Sequence, residues 1–256
     1  MTLSNPFDLG RRVALVTGSN RGIGLALARG LGRAGARVVV NGRSAEQTAA
    51  AVEELENAGP EAYASVFDVT DADAAAAEID RIEAVLGPIE ILVNNAGMQQ
   101  RAPIEEFPLD SVRRVIETNL MSAFYVSQPT IRHMALRGRG TIINICSVMS
   151  ELGRPTIVPY TASKGGLKMM TKGLAAELGP KGIRVNGLAP GYFRTELNSA
   201  LVEDLDFSAW LVKRTPLGRW GDVDELTGAA VFLASDAASF VTGQILYVDG
   251  GMTSAV

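Results

Sequence analysis

The 256-residue sequence holds one cysteine, Cys146, and one histidine, His133. A single cysteine forms no intrachain disulfide and supports no cysteine metal cluster, which fits a reducing cytoplasm. No apolar run approaches the roughly 20 residues that span a bilayer, and Met1 to Arg12 lacks a basic-then-apolar leader, so neither export nor membrane anchoring is expected. Positive charge is not in excess either: 24 Lys and Arg against 28 Asp and Glu leave a net charge of −4, with no basic stripe to follow a phosphate backbone. Nucleic acid is therefore not an expected partner. A serine hydrolase is disfavoured as well, because no Gly-x-Ser-x-Gly elbow surrounds Ser147 and His133 lies upstream in a basic helical stretch.

What is present is a chain 47% hydrophobic with no linker-like break, which reads as one domain over residues 1–256. Short β-branched runs recur at Val13 to Thr17, Val38 to Asn41, Ala62 to Phe67, Ile89 to Asn94, Thr141 to Cys146, Ile183 to Leu188 and Ile245 to Val248. Between them, apolar residues repeat at three and four positions in Leu25 to Ala34, Ala45 to Ala58, Asp71 to Leu86, Ser111 to Arg137, Tyr160 to Leu178 and Val223 to Ala234. Such alternation predicts an α/β fold: a Rossmann-like, doubly wound domain with a seven-stranded parallel sheet. Between about residues 191 and 220, and most plainly from Leu197 to Thr215, the alternation breaks, which reads as a small insert covering the substrate.

Directly after the first strand runs Thr17-Gly18-Ser19-Asn20-Arg21-Gly22-Ile23-Gly24, leading into an apolar helix. Glycines allow a sharp turn and close backbone approach to a pyrophosphate, and a helix N-terminus offers free N–H groups and a positive dipole end. The three residues between the first two glycines resemble the short-chain dehydrogenase/reductase family. That resemblance implies a nicotinamide dinucleotide held by Gly18, Asn20, Arg21, Gly22, Ile23 and Gly24. It adds Asp68 and Val69 at the adenine, Asn95, Ala96 and Gly97 beside the nicotinamide ribose, and Pro190, Gly191 and Thr195 on the loop after the sixth strand. Where NAD-preferring members place a carboxylate, this chain has Gly42 followed by Arg43. Without that carboxylate, Arg43 can hold a 2′-phosphate with help from Arg21, so NADP is expected over NAD.

Tyr160 and Lys164 are four residues apart in a helical stretch and so share a face. A phenol of pKa about 10 is a poor base at neutral pH, and a cation a few ångströms away favours its phenolate. Ser147 can hydrogen-bond a substrate oxygen and the phenol. By resemblance, the backbone carbonyl of Asn119 holds a water linking Lys164 to solvent. Tyr160 and Lys164 would also contact the cofactor. The expected reaction is hydride transfer between an alcohol and a ketone. Cys146, by strand alternation, points away from Ser147 into the core.

Around the catalytic set, Ile142 to Pro155, Pro190 to Leu197, Phe207 to Leu211 and Arg214 to Gly221 are similar to the family's sugar-acid dehydrogenases. A sugar acid needs a forked cation for its carboxylate and polar partners for its hydroxyls. Arg101 and Arg154 are candidates for the first, Gln99 and Glu151 for the second, with Arg154 alternatively pairing with Glu151 at the rim. Two rivals remain. One is a 3-oxoacyl-thioester reductase, which shares the catalytic residues but wants a basic docking surface. The other is a catalytically idle NADP sensor, against which Tyr160 and Lys164 both count. The resemblance also implies a homotetramer, with Gln244 to Gly251 in an interface.

Overall fold

The computed structural model describes residues 5–255. Among the described residues seven strands form one sheet: β1 (Val13–Val16), β2 (Arg37–Gly42), β3 (Ala62–Val66), β4 (Ile89–Asn94), β5 (Gly140–Ile145), β6 (Ile183–Pro190) and β7 (Ile245–Val248). The order is β3-β2-β1-β4-β5-β6-β7, and every pairing is parallel. The strand order reverses beside β1, where β1 pairs with both β2 and β4, so a crevice opens there at the carboxyl ends.

Successive strand residues point to opposite faces, and the two cores follow that alternation. Ala14, Val16, Val38, Val40, Ile91 and Val93 pack on one face with α1 (Gly22–Arg33), α2 (Ala45–Asn57) and, further along the chain, the helix Thr227–Ala234. Val13, Leu15, Val39, Ile89, Leu92 and Ile142 pack on the other with α3 (Ala72–Val85) and the helices Ser122–Arg137 and Val158–Leu178. Central strands covered on both faces must be apolar throughout, which is why they read as unbroken β-branched runs. The sheet and its two helical layers make the expected doubly wound, Rossmann-like fold.

Two expectations need correction. The periodic stretch from Ser111 to Arg137 is not one regular helix: α4 (Leu109–Ile116) passes into a π-helical turn, Glu117–Met121, before α5 (Ser122–Arg137). Hydrophobic period alone does not distinguish the wider turn. The fifth strand also ends at Ile145, so Ser147 lies beyond it and caps a short 3-10 turn, Val148–Ser150.

After α6 (Val158–Leu178) and β6, the chain leaves the sheet, forms α7 (Ser199–Glu203) and α8 (Leu205–Arg214), then returns through α9 (Thr227–Ala234). Leu201, Leu211 and Trp220 from this excursion pack on Val148, Met149 and Ile157, with Tyr160 and Tyr192 at the edge of the cluster. Complete burial of Leu211 contributes roughly 1.5–3 kcal/mol to holding it down. The excursion occupies the position expected of the insert.

Candidate active site

At the crevice, Gly18 and Gly22 have φ of +58° and +57°, left-handed conformations that favour glycine. A Cβ on Gly24 would lie 2.4 Å from the Gly18 carbonyl oxygen and 2.5 Å from Asn95 Nδ2, so the start of α1 packs directly on the turn. The Ser44 hydroxyl and Asp71 carboxylate cap α2 and α3, but α1 has no side-chain cap and no acid in its first turn. Its terminal N–H groups and positive dipole end are left for an external anion. These features fit a dinucleotide pyrophosphate.

The turn is held by Asn95, already a candidate, and by the side chains of Asn41 and Thr17, which were not. Asn41 Oδ1 accepts the Gly18 N–H at 3.1 Å, and Asn41 Nδ2 donates to the Ser65 and Phe67 carbonyls at 3.2 and 3.1 Å. Thr17 Oγ1 accepts the N–H groups of Asn95 and Ala96 at 2.9 and 3.0 Å, while Asn95 Nδ2 donates to the Thr17 and Gly18 carbonyls, both at 2.9 Å. The available signal was a polar Asn41 closing the apolar run Val38 to Val40.

At the far end of β2, a Cβ on Gly42 would lie 2.6 Å from Thr48 Oγ1 and 3.0 Å from the Asn20 side chain. A carboxylate does not fit there without displacing both. Arg43 is 80% exposed, its Nη1 3.6 Å from Asp68 Oδ2. Burial works to raise the Asp68 pKa, but the Thr70 N–H and hydroxyl, with Arg43, hold it below the ordinary value. Arg21 lies 3.9 Å from Glu196, so both arginines have an exposed carboxylate neighbour. Val69 is buried, and Asn20 donates to Gln47 at 3.1 Å.

On the other side of the crevice, Ser147, Tyr160 and Lys164 come together. Ser147 Oγ accepts the Met149 N–H at 3.1 Å, and Ser150 Oγ donates to the Lys164 carbonyl at 2.9 Å, fastening the turn after β5 to α6. Lys164 is 4% exposed and its Nζ donates to the Ile145 carbonyl at 2.6 Å, 5.8 Å from the centre of the Tyr160 ring. Burial lowers its pKa to about 8. Burial also raises the Tyr160 pKa, partly offset by the Ser147 hydroxyl; Tyr192 and Cys146 add to the rise. In the protein alone desolvation outweighs the influences that favour the phenolate, and Tyr160 is a protonated phenol at neutral pH.

Asn119 occupies the π-helical turn. Its Oδ1 accepts the Met98 N–H at 2.7 Å and its Nδ2 donates to the Met98 carbonyl and Ser163 Oγ at 2.9 and 3.1 Å. Its side chain is thus occupied, and π-turns of this kind recur at functional sites because they disturb regular carbonyl pairing. Gly97 forms the adjoining floor, where a Cβ would lie 3.4 Å from Asn119 Oδ1 and 3.8 Å from Lys164 Nζ. Thr195 Oγ1 is buried without a partner, so a ligand amide has a ready hydroxyl beyond Pro190 and Gly191. Cys146 is buried as expected, and desolvation pushes its thiol up to about 11, which rules out a thiolate nucleophile near neutrality. His133 pairs with Asp80 at 2.7 Å, away from these groups.

The candidate substrate residues divide. The Ala102 N–H donates to the Thr156 carbonyl at 3.0 Å, which joins the loops that carry Arg101 and Arg154; burial first, then the Arg154 charge, depress the Arg101 pKa. Arg154 does not pair with Glu151; its Nη1 donates to the Tyr192 hydroxyl at 3.1 Å, and Lys168 takes Glu151 instead. Lys168, on α6, holds that carboxylate. Gln99 is half-buried on the loop before Arg101.

The buried lysine gives a pH signature. Between about pH 8 and 10.5 the unfolded chain keeps the Lys164 proton and the folded chain has lost it, so stability rises with pH, by about 3 kcal/mol in all. Cys146 acts oppositely from about pH 9 to 11, since the folded state keeps the thiol proton. The parent curve mixes both effects. In denaturant unfolding across this range, the parent should gain stability relative to Lys164→Met, and a flat difference would contradict the burial account.

A family model described as enoyl-(acyl carrier protein) reductase matches residues 18–253. The chain is 56% identical over 253 residues to the gluconate 5-dehydrogenase of Gluconobacter oxydans (strain 621H), covering 98% of this chain and 99% of that one. It is 52% identical over 254 residues to the 5-keto-D-gluconate 5-reductase of Escherichia coli (strain K12), covering 99% and 100%. A crystal structure of a gluconate 5-dehydrogenase from Burkholderia cenocepacia J2315 in complex with NADP and tartrate superposes with a TM-score of 0.96 at 56% identity, covering 98% of both chains. On its fold, its site and these matches, the chain belongs to the short-chain dehydrogenase/reductase family.

Proposed function

We propose that this protein is an NADP-dependent oxidoreductase interconverting D-gluconate and 5-keto-D-gluconate. The observation that carries the proposal is full-length identity of 56% and 52% to proteins named for those two compounds, in a chain whose Ser147, Tyr160 and Lys164 converge beside a phosphate-binding turn. Bound NADPH supplies the hydride. Tyr160, protonated near neutrality, gives its proton to the carbonyl oxygen as the carbonyl carbon becomes a carbinol; in the reverse direction it accepts that proton. Ser147 donates a hydrogen bond to the same oxygen. Lys164 holds a positive charge below the phenol, and reprotonation passes through water on the Asn119 carbonyl. Arg101 and Arg154 engage the substrate carboxylate, with Gln99 and Glu151 toward its hydroxyls, and the 191–220 segment closes over it as a lid. Arg43, aided by Arg21, holds the 2′-phosphate, because Gly42 leaves no carboxylate to repel it.

One domain over residues 1–256 carries all of these roles. Assembly as a homotetramer is supported by the fully exposed Phe240, which precedes β7 in the chain, and by β7 itself, an edge strand only half covered. The lone, unpaired Cys146 supports a cytoplasmic location.

The matching family model bears an acyl-carrier name, so a 3-oxoacyl thioester is the informative competitor. NADPH absorbance should fall on addition of 5-keto-D-gluconate and stay level with the thioester. Oxidation with the thioester alone would overturn the proposal.

A further inference from the structure

Arg154 has the more tightly determined position of the two arginines at the mouth of the site. Besides donating to the Tyr192 hydroxyl at 3.1 Å, its guanidinium carbon lies 4.5 Å from the centre of the Phe207 ring. Both aromatics are braced. The Tyr192 and Phe207 rings are 5.5 Å apart, and Tyr192 meets Trp220 edge-on at 5.9 Å. Trp220 is buried and donates its indole N–H to Ser208 Oγ at 3.2 Å, tying the cluster to α8.

The backbone beneath is constrained too. Thr156 has φ of +71°, a left-handed conformation that a β-branched residue adopts only when its surroundings enforce it. The Thr156 carbonyl accepts the Ala102 N–H at 3.0 Å. That one bond joins the loop carrying Arg101 to the loop carrying Arg154. Among the described residues neither arginine forms an ion pair with a carboxylate. Two neighbouring guanidinium charges without an anion repel, and an anionic group between them relieves that repulsion.

We propose that Tyr192, Phe207 and Thr156 are specificity-determining positioning residues, which hold Arg154 beside Arg101 as a two-guanidinium clamp and so select a carboxylate-bearing substrate over a neutral polyol of equal length. This rests on the sugar-acid reading above and deepens it. Lysine in place of Arg154 would not reproduce the clamp, because stacking on Phe207 and bonding to Tyr192 together use the planar fork.

The test compares D-gluconate with D-gluconamide, its uncharged amide, as substrates for NADP reduction by the full-length protein. The parent should favour gluconate at least about 30-fold in kcat/KM, the order expected for a charge-assisted contact. Tyr192→Phe, which removes one oxygen, and Phe207→Leu should each cut that preference about 5- to 10-fold through a higher KM for gluconate. Phe207→Tyr, which keeps the ring, should restore it. Equal rises in KM for both substrates, or an unchanged preference in both variants, would overturn the proposal. If the parent does not distinguish acid from amide, the carboxylate clamp itself falls, and this proposal with it. If Arg101→Met and Arg154→Met abolish the preference while Tyr192→Phe and Phe207→Leu leave it intact, only the positioning role fails.

Discussion

Tyr160→Phe should lower kcat by about a thousandfold for 5-keto-D-gluconate reduction while leaving NADPH affinity within a few-fold. General acid catalysis by a positioned side chain is worth roughly 10²- to 10⁴-fold, and about a thousandfold is the middle of that range. The substitution removes one oxygen from a ring that packs at the edge of the cluster formed by Met149, Ile157 and Leu211, so the fold should survive. Because burial raises the phenol's pKa in the free protein, reduction, which needs the protonated form, should proceed through neutral pH without an activating ionisation. Oxidation needs the phenolate and should accelerate with pH. Steady-state rates in both directions across pH 6 to 10 check the pair of expectations; Tyr160→Phe retaining near-parental turnover would remove the tyrosine from the chemistry.

Arg43→Ala should raise the KM for NADPH about 10- to 50-fold and change that for NADH by less than about twofold. A guanidinium on a dianionic phosphate makes a strong, forked contact, but Arg43 is exposed and shares its charge with Asp68 at 3.6 Å, so the lower part of the roughly 1.5–3 kcal/mol range for hydrogen bonds to charged groups is the proper expectation. The specificity has two parts. Arg43 supplies the attraction, and Gly42 removes the repulsion, because a Cβ there would meet Thr48 Oγ1 and Asn20. Parallel initial-rate measurements with both cofactors decide it: equal losses for NADPH and NADH would show that Arg43 supports the turn rather than reads the phosphate.

The parts legible from sequence were those encoded over short spans. A glycine turn between a β-branched run and an apolar helix, and a tyrosine four residues before a lysine, state their geometry locally. Central strands announced themselves because both faces are covered. The unread features join distant positions or depend on burial. Asn41 reaches back from β2 to fix the Gly18 N–H, and Thr156 reaches Ala102 on another loop. Arg154 finds Tyr192 rather than Glu151, since Lys168 on α6 takes that carboxylate. The net direction of the Tyr160 shift in the protein alone was unread for the same reason: spacing reports that a cation is near, whereas the depth of burial, which opposes the charged form of both partners, is set by the whole fold. The π-turn at Asn119 interrupts a run whose hydrophobic period hardly differs from that of a regular helix.

Hydride transfer to a sugar-acid carbonyl is the central claim, and isotope tracing follows the atom itself. With 5-keto-D-gluconate and NADPH deuterated at the nicotinamide C4 position, prepared separately on each face, one of the two preparations should deliver a single deuterium to C5 of the gluconate formed, detectable by mass spectrometry and by loss of the C5 proton resonance. Gluconate free of deuterium from both preparations, or deuterium at any other carbon, would contradict the account.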